Sequence, residues 1–210
     1  MTKHLQKARL YAICDLGYLS QEEALPVSRQ LLQGGAGILQ LRAKGLEPDS
    51  LLGLARELRH LCEEFSVPFI VNDHLALARD SGAHGLHLGQ DDGALAGARA
   101  ALAPGTILGR STHSLDQARR ALEEGADYIG FGPLFPTPTK KGRPAIGLDH
   151  VSQMEKEVGS VIPAFCIGGI KPANLDQVLR AGARRVVIVS HLLTAPNPAQ
   201  ASTEIIQKYF

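Results

Sequence analysis

The chain has 210 residues, 44% of them apolar and 20% charged, and a formal net charge of +1. That length suits one domain, residues 1–210, able to bury a full core. The near-zero charge, the absence of Trp and the 5% aromatic content leave no electrostatic footprint for nucleic acid or an anionic membrane, and no base-stacking surface.

Taken in chain order, short apolar runs alternate with helical patterns. The N-terminal MTKHLQKARLYAICD lacks the long apolar segment of a signal peptide. The first run is LYAICD (10–15), the second ILQLR (38–42). SLLGLARELRHLCEEF follows, with Leu51, Leu54, Leu58, Leu61 and Phe65 at helical spacing and Arg56, Glu57, Arg59, Glu63 and Glu64 on the wet face. PFIVND (68–73), GLHLG (85–89) and ILGRST (107–112) come next. Ser114 stands as N-cap before LDQARRALEEGA. YIGFG (128–132), PAFCIGG (163–169) and RVVIVS (185–190) complete eight runs, each the length of a buried parallel strand. Gly-Ala pairs at 35–36, 82–83, 125–126 and 182–183 each precede a strand, as helix-ending glycines do. Eight βα units in this length predict an α/β fold, a single (β/α)8 TIM barrel. The main alternative is a doubly wound open sheet, although no GxGxxG follows the first strand.

In such a barrel, chemistry sits at the C-terminal ends of the strands. Those ends carry Gln40-Leu41-Arg42-Ala43-Lys44, Asn72-Asp73, Gln90-Asp91-Asp92, Ser111-Thr112-His113, Gly168-Gly169 and Ser190. Three groups separate by chemistry. Asp73 and Asp92 leave neighbouring strands and suit Mg²⁺, with water and phosphate completing its shell; a helix cap and a solvated loop acid are the competing roles. Arg42, Lys44 and Lys140 suit a polyphosphate opposite that metal; a solvated cationic rim competes. The bare amides of Gly168 and Gly169, with Ser190 on the next strand, suit a phosphate cup; a plain tight turn competes.

Between the sixth strand and the next helix runs GPLFPTPTKKGRPAIG (132–147). Its length points to function, and its prolines limit backbone freedom. We expect it to act as a lid, with Lys141 and Arg143 solvated. No GxSxG or HExxH motif appears. His87 lies mid-strand and is expected to pack rather than ligate. His113 ends the fifth strand and suits either an acid–base role or helix-start packing. Cys14, Cys62 and Cys166 are isolated and odd in number, which fits a reducing cytoplasm.

The segments QLRAK, VND, HLGQDD, GRSTHS, DYIGFGPLFPTPTK, CIGGI and VIVS, in this order, resemble the thiamine phosphate synthase (thiamine-phosphate pyrophosphorylase) family across nearly all of residues 10–190. The resemblance implies coupling of a hydroxymethylpyrimidine diphosphate to a thiazole phosphate, with release of pyrophosphate. It implies that Gln40, Leu41, Arg42, Ala43, Lys44, Asn72, Ser111 and Lys140 hold the pyrimidine diphosphate. Of these, Arg42, Lys44, Ser111 and Lys140 would assist the chemistry. Asp73 and Asp92 would bind one Mg²⁺ per subunit, and Thr137, Pro138, Thr139, Gly169, Val189 and Ser190 would hold the thiazole phosphate. GRSTHSLDQA also resembles thiazole tautomerases of the same superfamily, in which a histidine at the position of His113 is catalytic. That branch tends to lose the diphosphate and metal residues, all of which stand here. His191 and Cys166 depart from the family pattern. A phosphate-ligand-binding barrel without turnover is a further alternative. The implied partners are small molecules, not nucleic acid or membrane. The oligomeric state stays open, a homodimer included.

Overall fold

The computed structural model describes residues 2–137 and 144–210. Among them, eight parallel strands close into a barrel in sequence order. They are β1 (Leu10–Asp15), β2 (Ile38–Arg42), β3 (Phe69–Asn72), β4 (Gly85–Leu88), β5 (Ile107–Thr112), β6 (Tyr128–Phe131), β7 (Ala164–Cys166) and β8 (Val186–Ile188). The first and last strands pair directly, Leu10 opposite Val186. Helices α1 (Thr2–Lys7), α2 (Gln21–Gln33), α3 (Leu52–Glu64), α4 (Leu75–Asp80), α5 (Leu95–Ala101) and α6 (Leu115–Glu123) accompany the first six strands. After β6 come α7 (Val151–Met154), α8 (Pro172–Arg180), α9 (Ser190–Leu193) and α10 (Pro198–Tyr209). None of the described helices is long and apolar enough to cross a membrane.

The helical spacing read from the sequence becomes a packing face. In α3, Ala55, Leu58, Leu61 and Cys62 are buried against the strands while Arg56, Glu57, Glu63 and Glu64 stay exposed. Each fully buried leucine there contributes about 2 kcal/mol relative to exposure. The predicted Ser114 cap is present, its hydroxyl accepting from the Gln117 amide.

The Gly-Ala pairs are one device used four times. Gly35, Gly82, Gly125 and Gly182 all take positive φ. The following alanine amide reaches back to the carbonyl of Leu31, Ala78, Ala121 or Val178 at 3.0–3.3 Å. This Schellman bond satisfies an end carbonyl and turns the chain toward the next strand.

Strand alternation divides the core into two shells. Outward side chains meet the helices in one large apolar cluster. Inward ones form a smaller lumen cluster that includes Tyr11, Ile38, Ile70, Ile107, Tyr128 and Phe165. Leu5 and Ala8, from α1 and the turn after it, join this inner cluster and plug the bottom.

Candidate active site

Alternation also decides which strand-end residues reach the mouth. On β2, Gln40 and Arg42 point inward and line a pocket of about 880 Å³, its open mouth included. Leu41 and Ala43 do not: both side chains are buried in the outer, helix-facing core. Their side chains therefore cannot hold a ligand in the barrel, because each is one residue out of phase with Gln40 and Arg42. Arg42 is held by Asp15 of β1, Nη1 to Oδ2 at 2.7 Å, with Asp15 fully buried. Asp15 also accepts the Gly17 amide at 2.9 Å. The sequence reading placed no role on Asp15, yet it is what orients the predicted cation.

Asp73 and Asp92 converge beside this mouth. Asp73 follows β3 with φ +65°, a left-handed conformation that Asp tolerates. Its amide donates to the His87 carbonyl at 2.8 Å. It does not cap the next helix, whose N-cap position is His74. Asp92 accepts the Gly89 amide through Oδ2 at 2.8 Å. Buried Arg110 fixes that loop by donating to the Gly89 and Gly93 carbonyls at 2.9 and 2.7 Å. Burial first, and then the neighbouring Asp92 carboxylate, push the Asp73 carboxyl above its usual range; Lys44 partly offsets them. Lys44 Nζ lies 3.0 Å from Asp73 Oδ2 and is itself largely exposed. The strand ends at Arg42, so Lys44 joins the carboxylates rather than sharing a strand face with Arg42. Two carboxylates crowded enough to raise a carboxyl pKa form an oxygen-only donor set that fits a hard cation such as Mg²⁺. Among the described residues, no cluster of three or more His, Cys, Asp or Glu side chains could hold a metal. Any remaining coordination positions would fall to water and ligand oxygens.

Asn72, Ser111 and His113 line the pocket. The Gln90 amide nitrogen donates to the Ser111 carbonyl at 2.6 Å. His113 Nδ1 sits 2.5 Å from the Gly132 carbonyl; that bond makes Nδ1 the donor and puts the other nitrogen on the opposite edge of the ring. His87 is where expectation and structure part. It packs, as expected, but it packs inside the barrel and lines the pocket. Tyr11 and Tyr128 lie beside it, also unassigned by the sequence reading. Each is in phase with Gln40 or Ser111 across the strand register, which the closed barrel supplies and the apolar runs alone do not.

The opposite wall is backbone. Gly168 and Gly169 take φ +99° and +63°. A Cβ on Gly168 would collide with Pro133, and one on Gly169 would lie 2.7 Å from Phe135 Cβ. Asn174 ties the turn down, donating to the Gly169 carbonyl at 2.9 Å and accepting the Lys171 amide at 2.8 Å. Thr137, Val189 and Ser190 line the same pocket. β8 stops at Ile188, two residues short of the predicted end. Val189, at φ −112° and ψ −83°, breaks the strand, and Ser190 opens α9. Pro138, Thr139, Lys140, Lys141 and Arg143 lie outside the described residues. The three cysteines are unpaired and buried. Burial pushes the Cys14 thiol up to about 11 and those of Cys62 and Cys166 further, which removes them as nucleophiles.

Known proteins carry the same frame. The family model for thiamine monophosphate synthase matches residues 10–192. A thiamine-phosphate synthase of Thermus thermophilus is 44% identical over 191 residues, 91% of each chain. One from Nostoc sp. is 41% identical over 204 residues, 97% of this chain and 56% of its own. The solved thiamine phosphate pyrophosphorylase of Pyrococcus furiosus superposes with a TM-score of 0.86 at 30% identity, covering 98% of this chain and 96% of that one. A geranylgeranylglyceryl phosphate synthase of Thermoplasma acidophilum, at 15% identity and a TM-score of 0.70, shares the fold alone. With the family match running from β1 into α9, the chain belongs to the thiamine monophosphate synthase family.

Proposed function

We propose that this protein is a thiamine phosphate synthase. It couples 4-amino-2-methyl-5-hydroxymethylpyrimidine diphosphate to a 4-methyl-5-(2-phosphoethyl)thiazole, or its carboxylate, and releases pyrophosphate. The observation that carries the reading is an asymmetry around one cavity. Arg42 and the Asp73–Asp92 pair stand on one side, and the bare amides of Gly168 and Gly169 on the other. Two phosphorylated rings, one with a metal-bound diphosphate, match that arrangement.

The substitution is dissociative. Pyrophosphate leaves the methylene of an electron-rich aminopyrimidine, and the thiazole nitrogen attacks with a lone pair it already has. No general base is required. Asp73 and Asp92 would hold Mg²⁺, which when bound supplies positive charge to the leaving group. Arg42, oriented by Asp15, and Lys44 add positive charge on the same side. Gln40, Asn72 and Ser111 orient the pyrimidine. Gly169 and Ser190 hold the thiazole phosphate, with the N-terminal amides of α8 behind the turn. Positioning, charge neutralisation and exclusion of water then supply the rate enhancement. A coupling assay with both substrates tests this: pyrophosphate should form only with Mg²⁺ present, and full activity in excess EDTA would refute the metal role.

A second reading is favoured by His113, which lines the pocket with Nδ1 already committed to Gly132. It is a tautomerase acting on the thiazole phosphate. Loss of thiazole isomerisation in His113→Ala with coupling intact would assign that histidine to a separate activity. A non-catalytic binder would show ligand binding and no turnover.

A further inference from the structure

Glycines stand within the strands at 85, 109 and 130. Glycine weakens a strand, and it marks places where something approaches the backbone closely. At two of these positions the chain itself is what approaches. A Cβ on Gly85 would collide with Ile70 and the Ile107 carbonyl, and one on Gly109 with the Tyr128 ring. Gly130 is different. It keeps the extended backbone of β6, which any residue adopts. Among the described residues, a Cβ there would meet only His87, at 3.6 Å from Cε1, an ordinary van der Waals contact. Neither backbone conformation nor packing requires a glycine at this position, and Gly130 lines the pocket.

The walls around this bare patch are fixed. Ser111 is its partner on β5, and Phe165 its partner on β7. The Phe165 ring stands edge-on to Tyr11 and Tyr128, at centroid distances of 5.3 and 6.0 Å. The His87 ring nitrogens lie 3.0 Å from the Tyr128 oxygen and 2.9 Å from Ser111 Oγ. Side chains packed and tied in this way keep their rotamers, so they do not swing across to fill the space over Gly130. The patch also lies on a seam. On one side are Ser111 and His87, with Asn72 and Gln40 further round the barrel. On the other are Phe165, Ile167 and Val187.

We infer that the bare backbone of Gly130 seats the pyrimidine ring and sets the largest ring the pocket accepts. The seat lies two residues along the strand from Gly132, about 7 Å deeper in the barrel. An aminopyrimidine has a hydrogen-bonding edge and an apolar face, which match the two sides of the seam. The groups proposed for the thiazole phosphate, Thr137, Gly169 and Ser190, all follow the ends of their strands and stand nearer the mouth. A single methyl group at position 130 would take up space that the ring needs. Discrimination by one such group in an apolar slot is worth about tenfold or more.

The inference deepens the proposed coupling reaction and rests on it, but its first test needs only binding. In Gly130→Ala, calorimetry with Mg²⁺ should show the pyrimidine diphosphate bound at least about tenfold more weakly. Inorganic pyrophosphate, which has no ring, should bind within about twofold of wild type. Tm should stay within about 3 °C of wild type or rise, because Ala fits this backbone and restricts the unfolded chain. In coupling assays kcat/KM for the pyrimidine diphosphate should fall by the same factor, while KM for the thiazole phosphate stays within about threefold. Unchanged affinity for the pyrimidine diphosphate overturns the inference, as do equal losses for pyrophosphate or a rise in the thiazole KM alone. A Gly130→Ala chain that does not fold overturns it too, because the space would then belong to the chain. Absence of coupling in the wild type, with the ring discrimination intact, would refute the reaction and leave the seat standing. A wild type that binds neither probe would refute both.

Discussion

The two halves of the barrel mouth are built from different materials. From β2 to β5 the proposed ligand-binding groups are side chains: Arg42 on Asp15, Lys44 on Asp73, Asp92 on the Gly89 amide. From β6 to β8 they are mostly backbone, with Gly168 and Gly169 packed so closely on residues 133–136 that no Cβ fits. A side-chain site can lose a charge and keep its shape. A backbone site loses both together.

Four experiments test that contrast. Asp92→Asn keeps an acceptor for the Gly89 amide and removes the charge. It should lower kcat by more than about 10²-fold and shift Tm by no more than about 3 °C; wild-type coupling rates would break the contrast at its strongest point. Gly168→Ala should behave in the opposite way. Its Cβ meets Pro133 from a φ of +99°, so about 2–3 kcal/mol of stability and roughly 4–12 °C of Tm should go, along with a raised KM for the thiazole phosphate. Asp15→Asn tests whether the Arg42 guanidinium works only when held. Leaving a mostly buried cation without its carboxylate should cost about 3 kcal/mol in a urea melt and roughly tenfold in kcat/KM.

The smallest effect is a linkage between protons and metal at Asp73. Its carboxyl is raised in the folded protein by burial and by Asp92. The fold therefore gains from this group at low pH and loses that gain as pH rises through the raised value. Mg²⁺ at ten times its Kd should stabilise the neutral-pH protein by about 1.4 kcal/mol. The gain should shrink on acidification through the Asp73 transition and vanish in Asp73→Asn. Melting curves with and without Mg²⁺ across pH check both statements.

The same contrast explains what the sequence disclosed. Strands β1, β2 and β5 fall on the predicted runs residue for residue, since apolar length and flanking turns delimit them. The run at 163–169 shortens to Ala164–Cys166, because Gly168 and Gly169 leave the extended region. Charged strand ends were legible by type. Leu41 and Ala43 were carried along with their neighbours until the alternation of β2 turned them outward. His87, Tyr11 and Tyr128 were hidden for the opposite reason. Inside apolar runs they read as packing, and only the register of a closed barrel shows them meeting Gln40 and Ser111. The Asp15 carboxylate was hidden likewise, as the last letter of a strand.

The pairing of Leu10 with Val186 has a consequence for how the protein is made. The first strand to leave the ribosome finds its second neighbour only when the last strand emerges. By then the carboxylate half of the mouth has been synthesised and the glycine half has just appeared. A nascent chain stopped anywhere before β8 exposes an unpaired edge on β1, the kind of edge that seeks other chains. Synthesis thus delivers a working enzyme in one late step, at the closure of a ring.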